Sequence, residues 1–265
     1  MRRGALLIGM RRGALNLGAI GALSFLVLPF AFFAWATPWG RLHAVAGDFD
    51  AVRVSVVYTL AALALIVIGG TPLAYWMARR EFRGKTVCEG LVLLPLLTPP
   101  LAMGLLLALL YGPHSMVGAT AARLGLELTN TPTAFVLAQV YAAAPYYVIA
   151  ARAAFESVDP ELEQIALTLG KTPWQVFRLV TAPLARLGLA VGLAMAWVRA
   201  LGEFGIVLVI AYFPQGIPVK LWVNLQDLGL DAIYPLLWIF FLVALPLPLL
   251  LGIVSRSYVM RTETV

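Results

Sequence analysis

The sequence predicts an all-α polytopic membrane protein. Of its 265 residues, 62% are hydrophobic and only 12% are charged, which is about half the charged fraction of a typical soluble domain. Six apolar runs each reach the ~20 residues that a helix needs to cross the hydrocarbon core. These runs cover, approximately, residues 17–37, 54–77, 87–111, 131–151, 184–211 and 233–255. Because the connectors are short, we expect six transmembrane helices in a single domain, residues 1–265.

The first run follows four arginines and ends in Ala34-Trp35-Ala36, which resembles a signal-peptidase site. The apolar core of a cleaved signal peptide is only about 7–15 residues long. The stretch from Leu17 to Phe33 is longer, and further spans follow it. The sequence therefore favours a first helix that stays in the protein.

Lysine and arginine are distributed unequally between the two sets of span ends. One set carries Arg2, Arg3, Arg11, Arg12, Arg79, Arg80, Arg83, Lys85, Arg152, Lys171, Arg178, Arg186, Arg256 and Arg261. The other set carries only Arg41, Arg53, Arg123 and Lys220. Such an excess marks the cytoplasmic side of a membrane protein. We therefore expect both termini and residues 152–183 in the cytoplasm, with residues 38–53 and 212–232 outside. The net charge of +6 follows from this asymmetry and indicates no nucleic-acid partner.

The third run contains the strongest helix-breaking signal. Pro95, Pro99 and Pro100 lack a backbone donor and disfavour regular helix in the residue before them. Non-helical backbone at membrane depth is tolerated where it is buried in protein or lines a water-filled path. For Pro95 alone, a packing kink is the simpler interpretation. Thr98, Pro99 and Pro100 together favour an element of a transport pathway.

The fifth run combines small residues with a pair of charges. Gly188, Gly192 and Ala196 recur every fourth position, a spacing that lets two helices approach closely. At about 100° per residue, Arg199 and Glu203 fall on the same face as Gly188. They are one helical turn apart and can therefore form an ion pair.

Two interpretations of this pair remain open. Charges inside a bilayer face the bundle interior and pair with one another, so Arg199 and Glu203 could form a salt bridge that holds the fifth helix in place. Alternatively, the pair belongs with Gly202 and Gly205 to a translocation path or its gate.

The segment Glu156–Pro183 is the one long polar stretch between two spans. Asp159 is a good N-cap, followed by Pro160 at the first helical position. Gly170 ends that helix. Thr172 starts the next one and is followed by Pro173 at the first helical position. The pattern predicts a helix–glycine–helix elbow over about residues 156–183, suited to holding a partner outside the bilayer. An ordinary amphipathic loop is the alternative.

This elbow resembles the cytoplasmic coupling motif of ABC importer permeases. That motif reads Glu-Ala-Ala, three residues, Gly, nine residues, Ile, one residue, Leu-Pro. Ala166, Gly170 and Pro183 match it. Gln164 stands at the motif's glutamate position, and Glu163 lies one residue upstream. The departure leaves open whether the motif's usual ion pair is made here.

Further segments are similar to the molybdate/tungstate branch of the oxyanion importer permeases. They are Gly70-Thr-Pro-Leu-Ala, the block Leu-Pro-Leu-Leu-Thr-Pro-Pro ending at Pro100, and Arg199-Ala-Leu-Gly-Glu-Phe-Gly205. The resemblance implies a type I importer permease fold in a prokaryotic inner membrane, surrounded by lipid and acting as a homodimer. It also implies two cytoplasmic ATPase subunits, which carry ATP and Mg²⁺, and an external protein that delivers the oxyanion. This chain would then hydrolyse nothing and bind no cofactor.

Two groups of residues carry these expectations. The elbow that would couple this chain to the ATPase comprises Asp159, Glu163, Gln164, Ala166, Gly170, Thr172, Pro173 and Pro183. The pore or gate would comprise Thr98, Pro99, Pro100, Arg199, Gly202, Glu203 and Gly205.

Other chemistry is poorly supported by the sequence. His43 and His114 are the only histidines and lie far apart, whereas a metal site needs clustered ligands. No catalytic motif is present, and the single Cys88 excludes an intrachain disulfide. Two rival functions remain: a permease for sulfate, thiosulfate or another small ligand, and an ion channel or structural membrane protein without energy coupling. A channel or structural membrane protein would not need a docking elbow.

The topology can be tested by cysteine labelling in a Cys88→Ser background. We expect Lys171→Cys to react with a membrane-impermeant thiol reagent only after the cells are permeabilised, because the elbow is cytoplasmic. Asp231→Cys, in the predicted external segment, is the matched control and should react in intact cells. Labelling of position 171 in intact cells would contradict this orientation.

Overall fold

The computed structural model describes residues 2–251, with side chains described for residues 18–40 and 42–251. Five helices in this range are long and apolar enough to cross a membrane: Gly18–Ala36, Asp48–Arg79, Pro132–Glu156, Pro173–Leu201 and Leu230–Leu251. A bent pair, Lys85–Leu97 with Pro100–Tyr111, supplies the sixth. Counted in this way, the six predicted spans are confirmed. Residues 252–255 of the sixth run, together with Arg256 and Arg261, lie outside the described residues.

Twelve α-helices are described in chain order. They are α1 Arg2–Ala36, α2 Asp48–Arg79, α3 Lys85–Leu97, α4 Pro100–Tyr111, α5 Met116–Arg123, α6 Pro132–Glu156, α7 Pro160–Thr168, α8 Pro173–Val176, α9 Ala182–Leu201, α10 Gly205–Ile210, α11 Ile217–Leu228 and α12 Tyr234–Ala244. A π-helical segment, Phe177–Thr181, joins α8 to α9.

The first compact unit of the chain, up to His43, consists of α1 and a short 3₁₀ turn, Trp39–Arg41. Two side chains satisfy carbonyl groups in the last turns of α1. The Thr37 hydroxyl donates to the Phe33 carbonyl at 2.7 Å, and Trp39 Nε1 donates to the Ala34 carbonyl at 3.1 Å. The Ala34 carbonyl is one of the acceptors that a helix terminus leaves free, whereas the Phe33 carbonyl also accepts the Thr37 N–H at 3.0 Å.

The second unit, from Ala44 onward, is built around α2, α6 and α9. Small residues let these helices pack closely, since lipid-facing helices gain little from burying apolar area against one another. A Cβ atom added at Gly188 would lie 2.5 Å from the Ala154 Cβ, and one added at Gly192 would lie 2.9 Å from the Ala150 Cβ. The predicted small-residue stripe of α9 is thus confirmed as its contact with α6.

The contact between α2 and α6 uses a glycine and a polar bond. A Cβ atom at Gly70 would lie 3.0 Å from the Tyr147 ring, so the glycine admits that ring. The neighbouring Thr71 hydroxyl and the Tyr147 hydroxyl share a hydrogen bond of 2.7 Å. Both groups therefore find a partner inside an apolar bundle.

A second cluster of buried residues joins α4, α6 and α10. Here α4 and α10 approach through two glycines. A Cβ atom at Gly104 would lie 2.9 Å from the Val209 Cβ, and one at Gly205 would lie 2.7 Å from the Pro100 Cβ. Close backbone contact at both positions excludes any larger residue without a shift of the helices.

The third span bends by 108° between α3 and α4. The break falls at Thr98 and Pro99, whereas Pro95 lies inside α3. The prediction that the Thr98–Pro100 cluster interrupts the helix is confirmed, as is the milder role of Pro95. Pro100 begins α4 at a position where a missing donor costs nothing.

The expectation of one continuous fifth helix over residues 184–211 is wrong at its C-terminal end. Helix α9 ends at Leu201 and α10 begins at Gly205. Hydropathy does not register this break, because Gly202 and Glu203 are too few polar residues to change the mean of an apolar run. The backbone N–H groups freed at the start of α10 need partners nonetheless.

The elbow differs from its prediction in one respect. Its second helix is not a separate short element, because α8 runs through the π segment into α9 as one candidate span, Pro173–Leu201. Pro183 lies just beyond the π segment. Its missing N–H and its ring, which crowds the carbonyl of the preceding turn, account for the locally widened helix.

The predicted external segment 212–232 contains a helix, α11, that the sequence analysis did not predict. Asn224 Nδ2 donates to Asp48 Oδ1 at 2.9 Å, and both side chains are buried. The backbone N–H of Ile217 donates to the Ser55 hydroxyl at 2.8 Å. Polar contacts at both ends thus attach α11 to α2.

Candidate functional site

The first elbow helix, α7, begins as the sequence predicts. Asp159 is the N-cap, and its Oδ1 accepts a hydrogen bond from the Glu161 N–H at 2.9 Å. Pro160 occupies the first helical position. A capping carboxylate at this end also opposes the positive pole of the helix dipole. The predicted N-terminus is confirmed.

The turn between the two elbow helices depends on Gly170, whose φ is +81°. Its N–H donates to the Leu167 carbonyl at 2.9 Å, and the Lys171 N–H donates to the Ala166 carbonyl at 3.2 Å. These two bonds form a Schellman motif, which needs a left-handed residue at this position. The predicted role of Gly170 as a helix stop is confirmed.

The second elbow helix starts with a capping box. The Gln175 N–H donates to the Thr172 hydroxyl at 3.3 Å, and the Thr172 N–H donates to Gln175 Oε1 at 2.9 Å. Pro173 follows the cap. Because caps at both sides of Gly170 satisfy the free backbone groups, the elbow has one defined geometry.

Glu163 and Gln164 have different surroundings. Glu163 is buried and faces the bundle, where Arg79 Nη2 binds its Oε1 at 2.8 Å. Gln164, at the glutamate position of the coupling motif, is exposed. The elbow therefore does make an ion pair, between Glu163 and Arg79 of the same chain. Glu163 lies one residue upstream of the motif's glutamate position.

Apolar side chains cover much of the outer elbow surface. Leu162 and Ile165 of α7 are exposed, and Leu169 and Trp174 beside the turn are 74% and 68% exposed. The Trp174 ring stacks on Phe177 with centroids 5.7 Å apart. We name Leu162, Ile165, Leu169 and Trp174 the elbow face. Contiguous exposed apolar side chains on a rigid support are typical of a protein interface.

The predicted pathway residues lie at two helix breaks, one in the third span and one in the fifth. The two breaks are in contact through Pro100 and Gly205. The Thr98 hydroxyl donates to the Leu94 carbonyl at 2.7 Å, and the Thr98 N–H donates to the same carbonyl at 3.0 Å. Pro100 then packs against Gly205, as the glycine contact above describes. The break in the third span thus lies beside the C-terminal part of the fifth.

Arg199 and Glu203 form the predicted ion pair at the break between α9 and α10. Glu203 Oε1 also accepts a hydrogen bond from the Ile206 N–H at 2.7 Å. The two side chains differ in environment, since that of Glu203 is 1% exposed and that of Arg199 is 26% exposed. The carboxylate therefore caps α10 from inside the protein, while the guanidinium lies towards its surface.

An open groove of about 590 Å³ runs along the same stretch of α9. It is lined by Tyr146, Val191, Ala194, Met195, Val198, Arg199, Gly202, Pro248 and Leu251. Among these described residues Arg199 alone carries a charge. The structure therefore places two predicted pathway residues, Arg199 and Gly202, in an apolar groove, with Glu203 buried behind them.

The sequence analysis missed Arg79 and Thr181 as elbow residues. Arg79 is one of several basic residues after the second span, and its position suggested only orientation. Thr181 Oγ1 donates to Glu163 Oε1 at 2.6 Å, but threonine in a helix carries no distinctive signal. A buried acidic residue in an otherwise exposed helix can be recognised only once the fold is known.

The sequence profile of the family described as binding-protein-dependent transport system inner membrane component matches residues 70–262. A probable molybdenum ABC transporter permease protein of Haloferax volcanii is 40% identical over 216 residues, which cover 82% of this chain and 76% of that protein. The molybdate/tungstate transport system permease protein WtpB of Thermococcus kodakarensis is 30% identical over 187 residues, covering 71% of this chain and 70% of that protein.

Solved structures share the fold. A chain of a bacterial alginate ABC transporter, in complex with an alginate pentasaccharide-bound periplasmic protein, aligns with a TM-score of 0.73 at 19% identity, covering 97% of this chain and 96% of that chain. A chain of the MetNI methionine ABC transporter, in an inward-facing conformation, aligns with a TM-score of 0.60 at 15% identity, covering 79% and 94%. At these identities the likeness concerns the fold alone.

The ion pair can be tested by single and double replacement. Arg199→Ala leaves the buried Glu203 carboxylate uncompensated, so we expect the free energy of unfolding to fall by about 3–5 kcal/mol. Glu203→Gln retains an acceptor for Ile206 and leaves only a partly exposed guanidinium, so its effect should be smaller. The double variant should recover most of the stability, measured by thermal unfolding in detergent.

Uptake measurements on the same three variants separate the two interpretations of the pair. A purely structural pair predicts that the double variant recovers both stability and uptake. Contact between Arg199 and a passing anion predicts that it recovers stability alone. Wild-type stability and uptake in all three variants would contradict both interpretations.

Proposed function

This chain belongs to the family of binding-protein-dependent transport system inner membrane components, and on that premise we propose that it is the permease subunit of an ATP-driven importer for molybdate or tungstate. The capped elbow with its exposed apolar face carries the importer proposal, because a docking surface is what energy coupling requires. The names of its relatives in Haloferax and Thermococcus support the oxyanion.

We infer an assembly of two copies of this chain, two cytoplasmic ATPase subunits and an external binding protein. ATP and Mg²⁺ would bind to the ATPase subunits, and this chain would supply the path and the docking surface. The elbow face fits an apolar groove on each ATPase. In the alginate transporter, a chain of the same fold is found in complex with an alginate pentasaccharide-bound periplasmic protein.

The inferred orientation puts both termini and the elbow in the cytoplasm. It is supported by the uneven distribution of lysine and arginine. With several apolar spans the chain is a multi-pass membrane protein, and we propose the prokaryotic cell membrane as its location. Exposed leucines along α3 and α4 would contact lipid or the second copy.

The proposed mechanism is alternating access. Closure of the ATPase subunits would move the elbow, and the continuous helix from Pro173 to Leu201 would carry that motion across the membrane. The helix is interrupted after Leu201, and Gly205 packs against Pro100 at the bend of the third span. Motion of α9 would therefore reach both breaks, which is where a gate needs to open.

We assign the pathway and gate to Thr98, Pro99, Pro100, Arg199, Gly202, Glu203 and Gly205. Arg199 would give an otherwise apolar groove a positive charge, which favours an anion over a cation. One guanidinium per chain cannot distinguish molybdate from sulfate, as all these anions are tetrahedral. Selectivity would then depend mainly on the delivery protein, and an importer of sulfate or thiosulfate is the second candidate.

The function can be tested in proteoliposomes that contain this chain, its ATPase subunit and the binding protein. We expect ATP-dependent uptake of radioactive tungstate, suppressed by unlabelled molybdate and unaffected by an equal concentration of sulfate. If sulfate suppresses the uptake and molybdate does not, the result would favour an importer of sulfate or thiosulfate. Uptake that proceeds without ATP would contradict an importer and favour a channel.

Gly170 provides a test of the coupling elbow. A valine at a φ of +81° strains the turn, because β-branched residues are disfavoured in the left-handed region. We expect Gly170→Val to abolish uptake and co-purification of the ATPase subunit, while the protein remains folded in the membrane. Gly170→Asn is the matched control, since asparagine tolerates this conformation. Normal uptake by the valine variant would contradict the coupling role.

A further inference from the structure

The first elbow helix is attached to the bundle through one buried side chain. Of the nine residues of α7, all within the described part of the chain, Glu163 alone is buried. The large apolar side chains of α7, Leu162, Ile165 and Leu167, are exposed. A helix that buries no large apolar side chain gains little from packing, so its position depends on the polar contacts of this carboxylate.

Arg79, at the end of α2, holds the carboxylate at several points. Its Nε lies 3.1 Å from each Glu163 oxygen, and its Nη2 lies 2.8 Å from Oε1. The same Nη2 donates to the Val158 carbonyl at 3.0 Å, just before α7 begins. A planar guanidinium bound to both carboxylate oxygens fixes direction as well as distance.

Thr181 brings a third element to the same carboxylate. Its hydroxyl, fully buried in the π segment that leads into α9, donates to Glu163 Oε1 at 2.6 Å. Aromatic rings lie beside this cluster. Tyr75, one turn before Arg79, packs edge-on against Phe155 and Phe177, with centroids 5.5 and 5.2 Å away. Shielding from water strengthens such charged hydrogen bonds.

We propose that Glu163, Arg79 and Thr181, together named the elbow anchor, are positioning residues that transmit elbow motion to α2 and α9 at once. The inference rests on the proposed function, because it takes the elbow face as the surface that the ATPase moves. The Glu163 side chain is only 11% exposed, and both of its carboxylate oxygens are bound within the chain. Its contribution to transport is therefore made inside the chain.

Loss of the elbow anchor has a specific consequence. The caps of α7 and the elbow face do not depend on Glu163, so the ATPase subunit still docks. Movement of the docked subunit would then shift α7 relative to α2, and α9 would receive the motion only through the turn at Gly170 and the continuous helix that starts at Pro173. The transmembrane helices would therefore follow incompletely. ATP would be hydrolysed with little anion imported.

The test is the number of ATP molecules hydrolysed per tungstate imported, measured in proteoliposomes with the complete transporter. We expect Glu163→Gln and Thr181→Val to raise this ratio roughly tenfold, a size usual for coupling between sites. Co-purification of the ATPase subunit should be unchanged. Thr181→Ser keeps the hydroxyl and should behave as wild type.

Glu81→Gln is the matched control, because it removes a cytoplasmic ion pair, Lys85–Glu81, that does not contact the elbow. Its ratio should equal that of the wild type. If Glu163→Gln gives no folded protein, Thr181→Val alone decides, since it exchanges a hydroxyl for a methyl group of similar size.

Two results would overturn the inference. One is a fall in hydrolysis and uptake by the same factor, with an unchanged ratio, which would make the anchor a stability element only. The other is wild-type behaviour of both anchor variants. Failure of the wild-type transporter to import tungstate with ATP would instead overturn the proposed function, so the two failures are distinguishable.

Discussion

A break in a transmembrane helix frees backbone N–H and C=O groups where no water is at hand to bind them. Two spans of this chain are broken, and at each break nearby residues reduce the number of backbone groups left without a partner. At the first, Pro99 and Pro100 have no N–H groups to satisfy, while the N–H and hydroxyl of Thr98 both donate to the Leu94 carbonyl. At the second, the Glu203 carboxylate accepts from the Ile206 N–H.

Capping of α10 by Glu203 places a carboxylate deep in the protein. The position of Arg199 follows from that placement. A buried anion needs a cation nearby, and Arg199 supplies it from one turn back along α9. Arg199 is the only charged side chain among the described residues that line the apolar groove. It compensates Glu203, and Glu203 is needed to cap the helix after the break. A structural requirement and an anion path can share the same arginine.

Local chemistry accounts for the features that the sequence predicted well. The caps of α7 and α8, the turn at Gly170 and the bend at Pro99 each depend on residues within a few positions of one another. Glu163 and Arg79 are 84 positions apart, and their pairing depends on how α7 folds back towards α2. The helix α11 was missed for a related reason, because its partners, such as Asp48 for Asn224, come from distant segments. The break at Gly202 was missed for another reason, since two residues hardly change the mean hydropathy of an apolar run.

The unbroken helix from Pro173 to Leu201 has a geometric consequence. Its 29 residues correspond to about 44 Å at the usual rise per residue, against roughly 30 Å of hydrocarbon. The excess of roughly 14 Å corresponds to about two and a half turns, and we expect it at the polar elbow end. Such a helix acts as a lever: a tilt of about 10° about its far end would displace the elbow tip by roughly 8 Å. A partner that moves the elbow by several ångströms thus requires only a small rotation within the bilayer, which closely packed glycines can accommodate without separating.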